Sequence, residues 1–272
     1  MKVLIAADME GVSGVVSWDH VNPDHKEYSR FRKIMTDEVN AVIRGLMDEG
    51  AETVLVADGH AGGRNLLIEE LDSRAQLHSG SPSPLGMVTG ADADVEAAVF
   101  VGYHARAGTE NAIADHTWSG KRVANLWLNG KLVGETGLNA AVCGHFDVPV
   151  IMVAGDRAVC REAVALLGDV ETVAVKEATS RQAAHCLAPE VACEKIYEAS
   201  RRVVARLRAG DAPHSFRPST PVAMTIEFPD SAMADRAALL PGTERQERRI
   251  SYTGEDILVV LRAMRAALAL AG

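Results

Sequence analysis

Along this chain, short unbroken apolar runs alternate with stretches in which apolar residues recur every third or fourth position. Val3 to Ala7, Thr53 to Ala57 and Ala97 to Val101 have the length and the continuous apolar character of buried strands. Between the first two, Tyr28, Phe31, Ile34, Val39, Val42 and Leu46 follow helical spacing, and the pattern stops at Gly50. That spacing predicts a long amphipathic helix crossing from one strand to the next, which is one βαβ unit.

Further on, Val123 to Leu128 and Lys131 to Val133 flank Asn129-Gly130, a strong two-residue hairpin signal that predicts a mixed sheet. A helix over Thr136 to His145, a strand over Val150 to Ala154, a helix over Arg157 to Leu167 and a strand near Thr172 to Val175 follow. Pro189 suits the first position of a helix running to about Arg208. Pro213, Pro218 and Pro221 then crowd together and mark a boundary. Beyond them the pattern predicts a strand over Val222 to Phe228, a short helical stretch, a strand around Ile250 to Tyr252 and a closing helix from Glu255 to about Ala269. The expected architecture is a layered α/β/α fold whose sheet is largely parallel and partly mixed, with a smaller C-terminal α+β subdomain. The catalytic α/β domain is expected over 1–212 and the subdomain over 213–272.

Composition narrows the function. The 272 residues suffice for a large core, and 28 Lys and Arg against 37 Asp and Glu leave a formal charge of −9. No basic block exceeds two residues, so the electrostatic footprint of a nucleic-acid binder is missing. The start at Met1-Lys2 shows no signal-peptide pattern, and no run approaches the roughly 20 apolar residues of a membrane span. A cytoplasmic protein without nucleic-acid or membrane partners is expected. Cys143, Cys160, Cys186 and Cys193 form no C-x-x-C pair and read as small buried hydrophobes, mostly on helices.

The chemistry gathers at strand ends. Asp8 and Glu10 follow the first strand, Asp58-Gly59-His60 the second, Tyr103-His104 the third, and Gly134-Glu135 the hairpin. In an open α/β sheet these loops converge on one crevice. Asp8, Glu10, His60, His104 and Glu135 together carry the nitrogen and oxygen donors of a two-metal hydrolase site. Asp8 and Glu10 stand two residues apart in extended chain and share one face, which a cation between them would stabilise. Gly11 and Gly14 allow a close turn beside them. Taken singly, His60 also reads as a hydrogen-bonded structural histidine, and Glu135 as a favourable anion at a helix start. No phosphate-binding glycine loop and no G-x-S-x-G nucleophile elbow is present. His20, His25, His78, His145, His185 and His214 fall in expected helices or polar loops. His116 lies on the loop between the third strand and the hairpin, within reach of a water or a substrate oxygen.

Asp8-Met9-Glu10-Gly11, Asp58-Gly59-His60, Gly102-Tyr103-His104-Ala105-Arg106 and Val133-Gly134-Glu135-Thr136-Gly137-Leu138-Asn139-Ala140 together resemble the zinc-dependent D-aminopeptidase family, and the likeness runs over nearly the whole chain. The resemblance implies two Zn²⁺ per subunit held by Asp8, Glu10, His60, His104 and Glu135, with Asp8 bridging. It also implies an active-site role for His116, a short peptide substrate, and a homodecameric ring in the cytoplasm. Ala6 and Gly59 stand where serine is frequent in the family, a departure expected to touch the residues behind the ligands or the substrate wall and not the metals. The ligand set is indifferent to the hand of the substrate. Hydrolysis of L-peptides or other small amides, or metal-assisted dipeptide binding without turnover, would use the same residues.

Overall fold

The computed structural model describes residues 1–272. Its elements in chain order are β1 (Lys2–Ala7), α1 (Trp18–Val21), α2 (Tyr28–Asp48), β2 (Thr53–Asp58), β3 (Ala75–His78), β4 (Ala97–Tyr103), β5 (Asn125–Leu128) and β6 (Lys131–Leu132). After them come α3 (Glu135–His145), β7 (Val150–Asp156), α4 (Arg157–Leu167), β8 (Glu171–Ser180), β9 (Ala183–Cys186) and α5 (Pro189–Arg208). The chain closes with β10 (Val222–Glu227), α6 (Ser231–Ala237), β11 (Thr243–Gln246), β12 (Arg249–Gly254) and α7 (Ile257–Ala271).

Seven strands form the first sheet in the order β3-β2-β1-β4-β7-β8-β9, parallel except at the β8–β9 edge. The central strands are buried on both faces, which is why they read as unbroken apolar runs instead of alternating ones. Val3, Ile5 and Val54 face α2 and α5 through Phe31, Val42, Ile196 and Val203. Leu4, Ala98 and Phe100 face the opposite way, toward Leu138 of α3, Val159 of α4 and Met264 of α7. This is the expected α/β/α layering.

A second, antiparallel sheet has the order β11-β12-β10-β5-β6. It corrects one expectation: the Asn129-Gly130 hairpin does not join the parallel sheet. Through β5 it pairs with β10, Leu126 opposite Ile226 and Leu128 opposite Met224, so its apolar side chains complete a core shared with α6 and α7. The first sheet is mixed for another reason, the short edge strand β9. That strand, β3 and β11 are half-exposed and polar and left no apolar signature. His78 and His185 therefore lie on edge strands and not in helices or loops. Cys186, on β9, is exposed, whereas Cys143 and Cys160 are buried as expected. No helix is long and apolar enough to cross a membrane.

Two glycines set the closeness of the β1 and β4 exits. A Cβ at Gly11 would overlap the Tyr103 carbonyl, and one at Gly102, which also has φ +73°, would overlap the Asp8 carbonyl. Gly11 N donates to Gly102 O at 2.7 Å, stitching the two exits together.

Candidate metal centre

Asp8 and Glu10 leave the carboxyl end of β1, His60 follows β2 and His104 follows β4. These strands are neighbours in the order β2-β1-β4, so their outgoing loops rise side by side where parallel sheets bind ligands. Glu135 enters as the first residue of α3, behind the hairpin. His116 comes from the loop between β4 and β5. All six residues are buried, none more than 9% exposed.

The ligand atoms form two adjoining groups. Those of Asp8, Glu10 and His60 lie within 4.8 Å of one another, as do those of His104, His116 and Glu135. Asp8 joins the groups, with Oδ1 3.4 Å from His60 Nδ1 and Oδ2 3.4 Å from His104 Nε2. Glu10 Oε2 lies 3.0 Å from His60 Nδ1. Glu135 Oε1 lies 3.3 Å from His104 Nε2 and 3.5 Å from His116 Nε2. Every site residue expected from the sequence thus reaches the cluster, and His116 stands nearly as close to Glu135 as His104 does.

Each histidine is held from behind. His60 Nε2 is 2.8 Å from Val21 O, His104 Nδ1 is 3.0 Å from Ala105 O, and His116 Nδ1 is 2.9 Å from Ala114 O. With those nitrogens donating, a neutral ring turns its other nitrogen, with its lone pair, toward the carboxylates. Lone pairs facing one another in a dry site repel unless positive charge lies between them. Asp8 Oδ2, Glu10 Oε2 and His104 Nε2 are also buried with no hydrogen-bond partner, an arrangement costly to leave unfilled. Imidazole nitrogens and carboxylate oxygens, held in this way, fit zinc.

The proton equilibria say the same. Burial, and then the Glu10 carboxylate, push the Asp8 carboxyl up to about 7. Burial opposes the charge of Glu10, but His60 outweighs it and holds Glu10 well below 4.5. In Glu135 burial is likewise outweighed, here by His104, and the carboxyl is lowered. His60 and His104 are raised well above 6.5, because Glu10 and Glu135 respectively outweigh their burial. Without metal, protons on these two rings supply the positive charge the carboxylates call for; a divalent ion would displace them. His116 differs: burial and then the neighbouring His104 lower it below 6.5.

Over the cluster opens a cavity of ≈ 420 Å³, lined by Asp8, Glu10, His60, His116 and Glu135 together with Met87, Trp118 and residues of α7.

Known proteins resemble this chain over nearly its whole length. A family model described as peptidase M55, D-aminopeptidase, matches residues 1–266. The chain belongs to the D-aminopeptidase family. It is 38% identical over 266 residues to the D-aminopeptidase of Bacillus subtilis (strain 168), covering 97% of this chain and 95% of that protein. Its fold matches the solved structure of the zinc-dependent D-aminopeptidase DppA from Bacillus subtilis, a self-compartmentalizing protease, with a TM-score of 0.95 and 37% identity over 100% of this chain and 98% of that one.

In this D-aminopeptidase family member, residues outside the donor set brace the ligands. Asp58 accepts from Asn65 N at 2.6 Å and Leu66 N at 2.8 Å, and from Asn65 Nδ2 at 2.6 Å; the same Nδ2 is 2.6 Å from His60 O. It therefore shapes the loop that carries His60 and is not itself part of the cluster. Of the two positions expected to depart from the family pattern, Gly59 lines the cavity while Ala6 is sealed in the core.

Lys176, on β8, was invisible in the sequence except as a charge closing an apolar run. It is 2% exposed, and its Nζ donates to the carbonyls of Glu10 at 2.5 Å, Val12 at 2.8 Å and Val15 at 2.7 Å. It pins the turn that places Glu10. Lys176→Met should orphan three buried carbonyls, costing on the order of 3 kcal/mol or roughly 6–12 °C in melting temperature. Calorimetry and zinc titration should show both lower stability and weaker metal binding, and an unchanged melting temperature would refute the bracing role.

Proposed function

We propose that this chain is a binuclear zinc aminopeptidase releasing amino-terminal D-amino acids, of the D-Ala type, from short peptides. The observation that carries the reading is the Asp8 carboxylate, with one oxygen beside His60 and the other beside His104 of the second donor group. In this reading Asp8, Glu10, His60, His104 and Glu135 would hold two Zn²⁺ per subunit. Zinc, when bound, lowers the pKa of a water toward about 7 and polarises a carbonyl.

The chain's own part in the reaction is to position and to move protons. Val21, Ala105 and Ala114 fix the three imidazoles through backbone carbonyls, so the site is set before substrate arrives. His116, with Nδ1 engaged and its pKa lowered, is neutral at pH 7 and free to accept at Nε2. It takes the proton of the attacking water there and returns it to the leaving amine.

Preference for the D hand rests on the similarity to the Bacillus subtilis D-aminopeptidase. The test is turnover of D-Ala-D-Ala and L-Ala-L-Ala, each with and without a chelator, beside metal analysis. Chelator-sensitive release from the D-peptide by protein holding two zinc ions per chain is expected. Equal release from the L-peptide would remove the D assignment. No chelator-sensitive release from either, in metal-replete protein, would leave a dipeptide-binding protein. The reading extends to a cytoplasmic homodecameric ring, supported by the self-compartmentalizing relative, with a solution mass about ten times the 29.0 kDa subunit.

A further inference from the structure

The cavity over the metal centre carries charge of both signs. Its lining holds the carboxylates and imidazoles of the donor set and also Arg122 and Arg265. Arg122 donates Nε to the carbonyl of Gly272 at the end of the chain. Arg265, on α7, is the cation left without an anion. Its Nη1 donates to two successive backbone carbonyls, Ser83 O at 2.6 Å and Pro84 O at 3.2 Å. Those bonds fix the plane of the guanidinium and consume one nitrogen. The edge formed by Nε and Nη2 donates to nothing in the protein, and Arg265 makes no ion pair. The cavity residues beside it on α7 are Leu268 and Ala269, which offer no acceptor side chain.

A guanidinium stays protonated at any physiological pH, and its Nε/Nη2 edge presents two parallel N–H groups at the spacing of a carboxylate. The donor groups in the lining thus suit a peptide's amino terminus and scissile bond, while a fixed, unpaired fork in the same lining suits an anion. We propose that Arg265 receives the terminal carboxylate of a short peptide, so that the cavity selects free-acid peptides over amidated ones. This inference rests on the hydrolase reading above and adds a specificity determinant to it.

The contact is read by comparing D-Ala-D-Ala with D-Ala-D-Ala amide on the zinc-loaded, full-length protein. A bidentate, charge-assisted contact predicts a kcat/KM for the acid about 10- to 100-fold above that for the amide. Arg265→Gln should remove that preference, raising KM for the acid by more than KM for the amide so that the two peptides become equally good substrates, with zinc content near that of the parent. Arg265→Lys, which keeps charge but not the fork, should restore only part of it. Equal efficiency on acid and amide in the unaltered enzyme overturns the proposal, and that comparison needs no variant to fold. So does a loss in Arg265→Gln that is the same for both peptides. If neither peptide is hydrolysed, it is the hydrolase reading that fails. Equilibrium titration of the same two peptides then still decides the Arg265 contact, tighter binding of the acid supporting it and equal binding refuting it.

Discussion

Asp8→Asn is expected to empty both metal positions at once and to lower kcat/KM by roughly 10³- to 10⁵-fold, the loss of several kcal/mol of Lewis-acid and water-activating chemistry. The asymmetry with its neighbours is the point. Glu10 faces only the His60 side and Glu135 only the His104 and His116 side, so replacing either should cost chiefly one ion. Asp8 alone has one oxygen beside His60 and the other beside His104. Metal analysis of the three variants therefore distinguishes a shared carboxylate from three equivalent ones. Loss of a single ion in Asp8→Asn would show that the groups are filled independently.

The same substitution should act with the opposite sign on the metal-free protein. Burial and Glu10 raise the Asp8 carboxyl from 3.8 to about 7 in the folded chain. Between those values the folded state keeps a proton that the unfolded state has released, so the Asp8 contribution to stability falls as pH rises through that window. Above about pH 7 the full penalty is present. Asparagine cannot ionise, so metal-free Asp8→Asn should melt higher than the metal-free parent at pH 8. Zinc should stabilise the parent strongly and the variant hardly at all. A residue that destabilises the fold it belongs to is one retained for what it binds.

Much of this was legible because parallel strands buried on both faces leave an unmistakable apolar run, and because such strands deliver their exits to one edge. Val3 to Ala7, Thr53 to Ala57 and Ala97 to Val101 were readable, and with them the convergence of Asp8, Glu10, His60 and His104. Glu135 was readable through the turn chemistry of Asn129-Gly130, although the hairpin belongs to another sheet than expected. Pairing partners are a property of the whole fold: nothing local to Leu126 or Leu128 says that Ile226 and Met224 lie opposite. The supports were hidden for a related reason. Lys176 acts on backbone carbonyls some 160 positions away, and carbonyls carry no sequence. Arg265 sits on a closing helix whose apolar spacing announces packing alone. Asp58 stands two residues before His60, but nothing local says that its carboxylate holds the amides of Asn65 and Leu66.

His116→Ala should lower kcat by about 10²- to 10⁴-fold, the range for loss of a positioned proton-transfer group, while zinc stays near two per chain. The geometry makes this a real contest. Its Nε2 is 3.5 Å from Glu135 Oε1, only slightly farther than His104 Nε2 at 3.3 Å, so a ligand role would also fit the distances. Proton affinity separates the two. Glu135 outweighs the burial of His104 and raises it well above 6.5, whereas burial and the charge of His104 lower His116. The rings are stacked at 4.0 Å and 10°, so one imidazole holds positive charge and the other is kept from it. A nearby divalent cation would lower His116 further, the same sign. The neutral form should therefore prevail at pH 7, with kcat falling only as pH drops through a value below 6.5. Its ring is also held for motion of a proton and not of the side chain: Trp18 meets it edge-on at 5.2 Å, and Asp156 accepts from Ile113 N at 2.9 Å to anchor the loop. In His116→Ala the acid limb of the kcat profile should disappear together with the rate. If zinc is lost with it, or the limb survives in the residual activity, His116 is a ligand or a bystander, and the proton must travel through another group.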